Sequence, residues 1–259
     1  MKKVLTILGP FIVMLLIGCA ARPPENLMTA ADRREQSFDS IWVVYTLPDM
    51  DRVSVANVTY KEGLTMDVYY PPDFDFRSKL PAVVFVNGGS VVYGVPTDFR
   101  DVGQFISWGQ LTAASGLIAI THDNEVQDAL NNFDDLMNYI HKKGGSFGID
   151  SKRIGLWSRY PHASVAQSAL MDTSQEYQRN LRCAVFYYSG LDIGEPTVKE
   201  WRRDVPQLVV KGGLDLAQRN SWIDQYIAKA REMKVPVELV VHEEGAFRFD
   251  ALMDTDRSR

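Results

Sequence analysis

Short apolar runs return along this chain at intervals that leave room for one helix each, and that rhythm constrains the fold more than any other feature. The runs fall at 82–86, 117–121, 154–157, 183–188, 208–211 and 237–241. Continuously apolar segments of this length read as strands covered on both faces. Helix-like stretches lie between most of them. One sets Trp222, Ile223, Tyr226, Ile227, Ala230 and Met233 on a single face of a 3.6-residue period, with Asn220 or Ser221 expected as its cap. Ahead of the runs, 53–60 and 64–70 are joined by Lys61-Glu62-Gly63 and stopped by Pro71-Pro72, the pattern of an antiparallel hairpin. Strand and helix in alternation predict the α/β class: a three-layer α/β/α sandwich around a mostly parallel sheet, with the hairpin at one edge.

A chain of 259 residues, 46% of them hydrophobic, can bury one sizeable core, which is placed at 51–259. A formal net charge of -5 leaves no basic face for nucleic acid, which is excluded as the main partner. His122, His141, His162 and His242 are scattered without metal-ligand spacing, so neither a metal nor another cofactor is expected.

The N-terminus reads as a targeting segment. Lys2 and Lys3 precede an apolar run at 4–17 that is short for a membrane span, and Leu16-Ile17-Gly18-Cys19 resembles a bacterial lipobox. Residues 1–19 are therefore expected to be a leader with Cys19 lipidated, an uncleaved anchor helix being the alternative. Residues 20–50, opening on Arg22-Pro23-Pro24, would form a tether whose 41–45 segment docks on the domain. The expected place is the bacterial cell envelope, at the periplasmic face of the outer membrane or the cell surface, because Ala20 stands where an aspartate would resemble an inner-membrane retention signal. The expected partners are the membrane, through the lipid anchor, and an unknown small ligand or envelope protein. With Cys19 lipidated, Cys183 has no partner within the chain and is expected to be a buried strand thiol.

Four segments in order resemble the α/β-hydrolase superfamily, in its dienelactone hydrolase and esterase branch, over roughly 53–250. The run 80–86 followed by Asn87-Gly88-Gly89 is similar to the strand and glycine loop that supply one oxyanion-hole N–H. Residues 148–157 are similar to the strand before the nucleophile elbow, where the family has G-x-S-x-G and this chain has Ser158-Arg159-Tyr160-Pro161-His162. Residues 206–215 resemble the strand and loop that present the triad acid, and Asp215 matches it. Residues 237–250 resemble the last strand and its H-x-F turn, with Phe247 at the histidine.

The resemblance implies a serine hydrolase, yet Tyr160 and Phe247 occupy the nucleophile and base places. A phenol reaches several ångströms further than a serine hydroxyl and leaves as readily as it attacks, and a phenyl ring moves no proton. The second oxyanion donor would be the N–H of residue 161, and Pro161 has none. An ordinary strand-to-helix turn is expected there, with Pro161 near the first helical position. Ser158 or Ser164 could be a relocated nucleophile, or polar residues at a helix start. His162 could occupy the pocket or be merely solvated or hydrogen-bonded, and His242, five residues before the vacant place, could be a relocated base but is expected to aim elsewhere. Asp215 suits a turn as well as a triad, while Asp123 and Asp250 read as solvated loop acids. Trp108, Trp157, Tyr187 and Tyr188 are expected to fill core and pocket wall. The leading expectation is a non-catalytic, ligand- or partner-binding member of the fold. The rival is an active ester or lactone hydrolase with a rearranged site, and a third reading is a structural module of the envelope.

Overall fold

The computed structural model describes residues 23–92, 95–97, 99–194, 197–256 and 258, with side chains outside 90–98. In chain order its elements are β1 (Leu27–Thr29), α1 (Ala30–Glu35), β2 (Ser54–Lys61), β3 (Leu64–Tyr70), β4 (Leu80–Phe85), β5 (Ser90–Val92), β6 (Val95–Thr97), α2 (Gly103–Ala114), β7 (Ile118–His122) and α3 (Ala129–Lys143). Then come β8 (Ile149–Arg159), α4 (Ala163–Met171), β9 (Leu181–Tyr187), β10 (Gln207–Gly212), α5 (Ala217–Glu232), β11 (Val237–His242) and α6 (Phe249–Leu252). Every apolar run lies in a strand of one 9-stranded sheet, ordered β1-β2-β3-β7-β4-β8-β9-β10-β11. From β7 to β11 neighbours are parallel, and β1, β2, β3 and β7 meet antiparallel.

Burial on both faces explains the unbroken apolar runs: all five residues of β7 are buried. On one face Phe133 and Ile140 of α3, Leu170 of α4 and Tyr226 of α5 join the core. On the other, Phe105 of α2 and Ala30 of α1 pack on Tyr69, Phe85 and Trp157. The three-layer sandwich expected from the sequence is the observed architecture.

Several local expectations need correction. The stretch expected as a tether belongs, from Leu27 on, to the packed unit: β1 pairs with β2 outside the hairpin, Arg33 is buried against Asp67, and the Val43 N–H donates to Ser107 Oγ at 2.9 Å. Cys183 is exposed: it lies near the start of β9, and on its side of the strand only Val185 and Tyr187, further along, pack against the second core. Helix α5 begins at Ala217, ahead of the expected caps, and Asn220 donates instead to the Gly212 carbonyl at 2.9 Å. No helix among the described residues is long and apolar enough to cross a membrane. The leader and Cys19 lie outside the described residues.

Strand β7 sits between β3 and β4, so the chain leaves the carboxyl ends of β4 and β8 in opposite directions. Such a switch point opens a crevice between the two loops.

Candidate functional site

The loop after β4 reaches that crevice with its backbone donors already used. The Asn87 N–H donates to His122 Nε2 at 3.1 Å, the Gly88 N–H to His162 Nδ1 at 3.1 Å, and the Gly89 N–H to Asn87 Oδ1 at 2.9 Å. Gly89 has φ +66, and a Cβ there would lie 2.6 Å from the Val126 nitrogen, so only glycine fits. His122 Nδ1 donates to the Asp123 carbonyl at 2.8 Å, which leaves Nε2 as the acceptor of a neutral ring. His162 Nδ1 accepts, so its proton sits on Nε2, and the ring lies edge-on to Phe99 with centroids 4.5 Å apart.

Burial, the largest cause, holds both imidazoles neutral: His122 is pulled down to about 4 and His162 well below the ordinary histidine value, where the nearby Arg159 charge adds to the effect. In the unfolded chain both rings titrate near ~6.5. Below that pH the unfolded state binds protons that the folded state refuses, so this stabilisation is complete above neutrality and is lost as pH falls. The expected slope approaches about 1.4 kcal/mol per pH unit for each ring. Urea unfolding at pH 7, 6 and 5 should show stability falling, with His162→Gln removing about half of the slope in that window. An unchanged slope in the variant would contradict this assignment.

Beyond β8 the chain makes a tight turn closed by the His162 N–H donating to the Arg159 carbonyl at 2.7 Å, with a cis Tyr160–Pro161 peptide. Helix α4 starts at Ala163, with His162 as its cap and Pro161 just ahead of that. Ser158 is also no helix-start residue: it is buried in β8 with its hydroxyl unpartnered. Ser164 is exposed on α4. Pro161 offers no donor, and the next N–H, that of His162, is spent on the turn.

Tyr160, Asp215 and Phe247, the residues that the resemblance assigns to the triad, do converge, around a residue that the sequence reading missed. Gly212 packs so close to the Gly245 carbonyl that a Cβ would overlap it, which sets the turn after β10 against the turn after β11. The Tyr160 and Phe247 rings lie at 82° with centroids 6.0 Å apart, and Arg219 Cζ sits in the angle between them, 4.4 Å from each. Arg219 Nη1 is hydrogen-bonded to Asp215 Oδ1, which also accepts the Leu216 N–H at 2.7 Å. Asp215, the residue that the resemblance assigns as the triad acid, is therefore held by a guanidinium. The four-residue spacing from Asp215 to Arg219 at the start of a helix is the signal that could have found the pair.

The remaining candidates lie apart. His242 is buried, with Nε2 2.9 Å from Ser258 Oγ, and both line a cleft of about 550 Å³ walled by Tyr45, Trp108, Tyr187 and Phe249. Asn87, Gly88 and Gly89 are not among that cleft's walls. Asp250 is no solvated acid: it is buried and accepts from Gln104, Trp108 Nε1 at 2.8 Å and Tyr188 OH at 2.9 Å. Asp123 likewise accepts from Thr65 at 2.7 Å and pairs with Arg100 at 3.0 Å. Trp157 and Tyr188 are buried, as expected of core aromatics. Among the described residues no group of three or more His, Cys, Asp or Glu could hold a metal ion.

The sequence matches no protein-family model. No curated protein matches it either. Solved structures do resemble the fold. The native esterase 2 of the planctomycete Thermogutta terrifontis is similar at TM-score 0.60 and 16% identity, over 81% of this chain and 88% of that one. The same esterase phosphonylated by sarin matches at TM-score 0.61 and 16% identity, over 78% and 88%. MGS-M1, an α/β-hydrolase enzyme from a Medee basin deep-sea metagenome library, matches at TM-score 0.58 and 18% identity, over 75% and 83%. At these identities the likeness establishes the α/β-hydrolase fold.

Proposed function

We propose that this chain, an α/β-hydrolase fold by structure, does not hydrolyse esters and uses its former active-site crevice to hold a small ligand or an envelope protein. The carrying observation is that both places for an oxyanion donor are spent: the Gly88 N–H binds His162, and residue 161 is proline. Losing one such donor slows acyl transfer by about 10²–10³-fold, and here a phenol at the nucleophile place and a phenyl at the base place come on top. The dienelactone hydrolase-like ancestry and the anchor through Cys19 belong to the same proposal and rest on the sequence motifs alone.

One observation favours a second reading, an ester or lactone hydrolase with a rearranged site: the Ser258 hydroxyl within reach of His242. The distance of that pair from the glycine loop's donors counts against it, since a tetrahedral intermediate needs nucleophile and donors together.

A repair series tests the main reading. In an Arg219→Met background, which frees Asp215, the substitutions Tyr160→Ser, Pro161→Gly and Phe247→His restore nucleophile, donor and base but leave Gly88 bound to His162. Adding His162→Gly releases that N–H and should raise turnover of a short-chain aryl ester by about 10²–10³-fold. Asp215→Ala should then abolish the gain. Equal turnover with and without His162→Gly would show that the Gly88 donor is not blocked.

A further inference from the structure

Arg159 and Arg248 adjoin in sequence the two rings that touch, Tyr160 and Phe247, and each carries donors that meet no acceptor among the described residues. Arg159, the last residue of β8, is 3% exposed and lies over Phe99 and Phe105, with Cζ 5.0 and 5.4 Å from the ring centroids. Its Nη1 donates to the Tyr160 carbonyl at 2.7 Å, while its Nε is buried without a partner. Arg248 follows Phe247, in a left-handed backbone with φ 60, and its Nε and Nη2 are buried without partners although the side chain as a whole is half-buried.

The acids nearby are committed elsewhere. The Asp250 carboxylate is filled by Gln104, Trp108 and Tyr188, and Asp39 Oδ1 accepts the Gly103 N–H at 2.9 Å and the Ile41 N–H at 3.2 Å. Arg159 is bonded to the Tyr160 carbonyl and Arg248 follows Phe247, whose ring lies 6.0 Å from that of Tyr160, and burial first and then the Arg248 charge work against the charged form of Arg159. Buried polar groups in folded proteins find partners almost without exception, and buried charges are paired. A guanidinium offers N–H groups in a planar fork that matches the oxygens of a carboxylate or a phosphate.

We propose that Arg159 and Arg248 form a binding site for a small oxyanion, a carboxylate or phosphate group, beside the Tyr160 and Phe247 rings, with Arg159 Nε and Arg248 Nε and Nη2 as donors. The proposal names the ligand chemistry for the non-catalytic site inferred above and rests on that reading. Phe99 and Phe105 keep water from the Arg159 donor, which strengthens a charge-assisted hydrogen bond. Arg248, half-buried where Arg159 is almost wholly buried, is the side from which a ligand enters.

The test is thermal unfolding and calorimetric titration of the full chain with sodium propionate and with inorganic phosphate, against sodium chloride of matched ionic strength. A saturable rise in unfolding temperature is expected with at least one oxyanion and not with chloride, and the anion that gives it names the source. Arg248→Gln should weaken binding by roughly tenfold or more. Arg159→Lys, which keeps the charge but loses the fork, should weaken it in the same direction, and Arg248→Gln carries the test alone if the Arg159 variant does not fold. No response beyond chloride, or an undiminished response in Arg248→Gln, would overturn the site. The readout is independent of catalysis: hydrolytic activity would sink the functional reading without touching the titration, and a flat titration would leave catalytic silence standing.

Discussion

Arg219→Ala is expected to destabilise the fold by about 3–5 kcal/mol, the range for breaking a buried ion pair from one side. The Arg219 and Asp215 side chains are 7% and 1% exposed, and Asp215 Oδ2 already has no partner. Without the guanidinium, the carboxylate keeps only the Leu216 N–H, and two aromatic rings lose the cation lodged between them. Urea unfolding of the full chain reads the loss. The double change Asp215→Asn with Arg219→Met should recover most of it, because removing both charges at similar volume is close to neutral. A loss in the single variant below about 1 kcal/mol would place the pair with solvent-screened ion pairs and contradict its role in holding the Tyr160, Asp215 and Phe247 cluster together.

Arg33→Ala should be of similar size, about 3–5 kcal/mol. Arg33 donates to Asp67 Oδ2 at 2.7 Å, to Asp101 Oδ1 at 2.7 Å and to the Arg100 carbonyl at 2.9 Å, and its side chain is 1% exposed. These bonds fasten α1, and with it β1, to β3 and to the segment after the glycine loop. Differential scanning calorimetry should show the unfolding temperature lowered by about 10 °C for a chain of this size, and limited proteolysis should cut first in the 23–50 segment. Arg33→Lys keeps the charge but cannot span three acceptors, so it should fall between the two. An unfolding temperature within about 2 °C of wild type for Arg33→Ala would contradict the assignment.

These two arginines mark the border of what the sequence reveals. The strands after the hairpin were legible because burial on both faces forces unbroken apolar runs such as 118–121. Strand β1 was not: Leu27-Met28-Thr29 is too short to show a period, and its partner Ala56 lies far along the chain. The 23–50 segment looked like a polar tether because its charges turn inward to Asp67 and Asp101, a pairing no local pattern encodes. Asp123 and Asp250 were misread for the same reason, since their partners Arg100, Gln104, Trp108 and Tyr188 come from other elements.

At the site, a resemblance in four segments located Tyr160, Asp215, Phe247 and the Asn87 loop, and the structure gathers the first three around Arg219 and ties the loop to His162, two residues from Tyr160. What the residues do there depended on geometry. His162 reads from sequence as solvated or hydrogen-bonded, and only its Nδ1 contact shows that it takes the N–H an oxyanion would need. Arg219 went unread although its helix spacing from Asp215 could have found it, and the two rings that enclose it are contributed by turns 160 and 247, which no spacing rule connects.

The most direct measurement of the central claim is intact-mass analysis of the full chain after exposure to a serine-directed fluorophosphonate. The account predicts an unmodified mass under conditions that fully label an active serine esterase. A stoichiometric adduct on any serine, lost when that serine is replaced, with Ser258 beside His242 the first to examine, would contradict it.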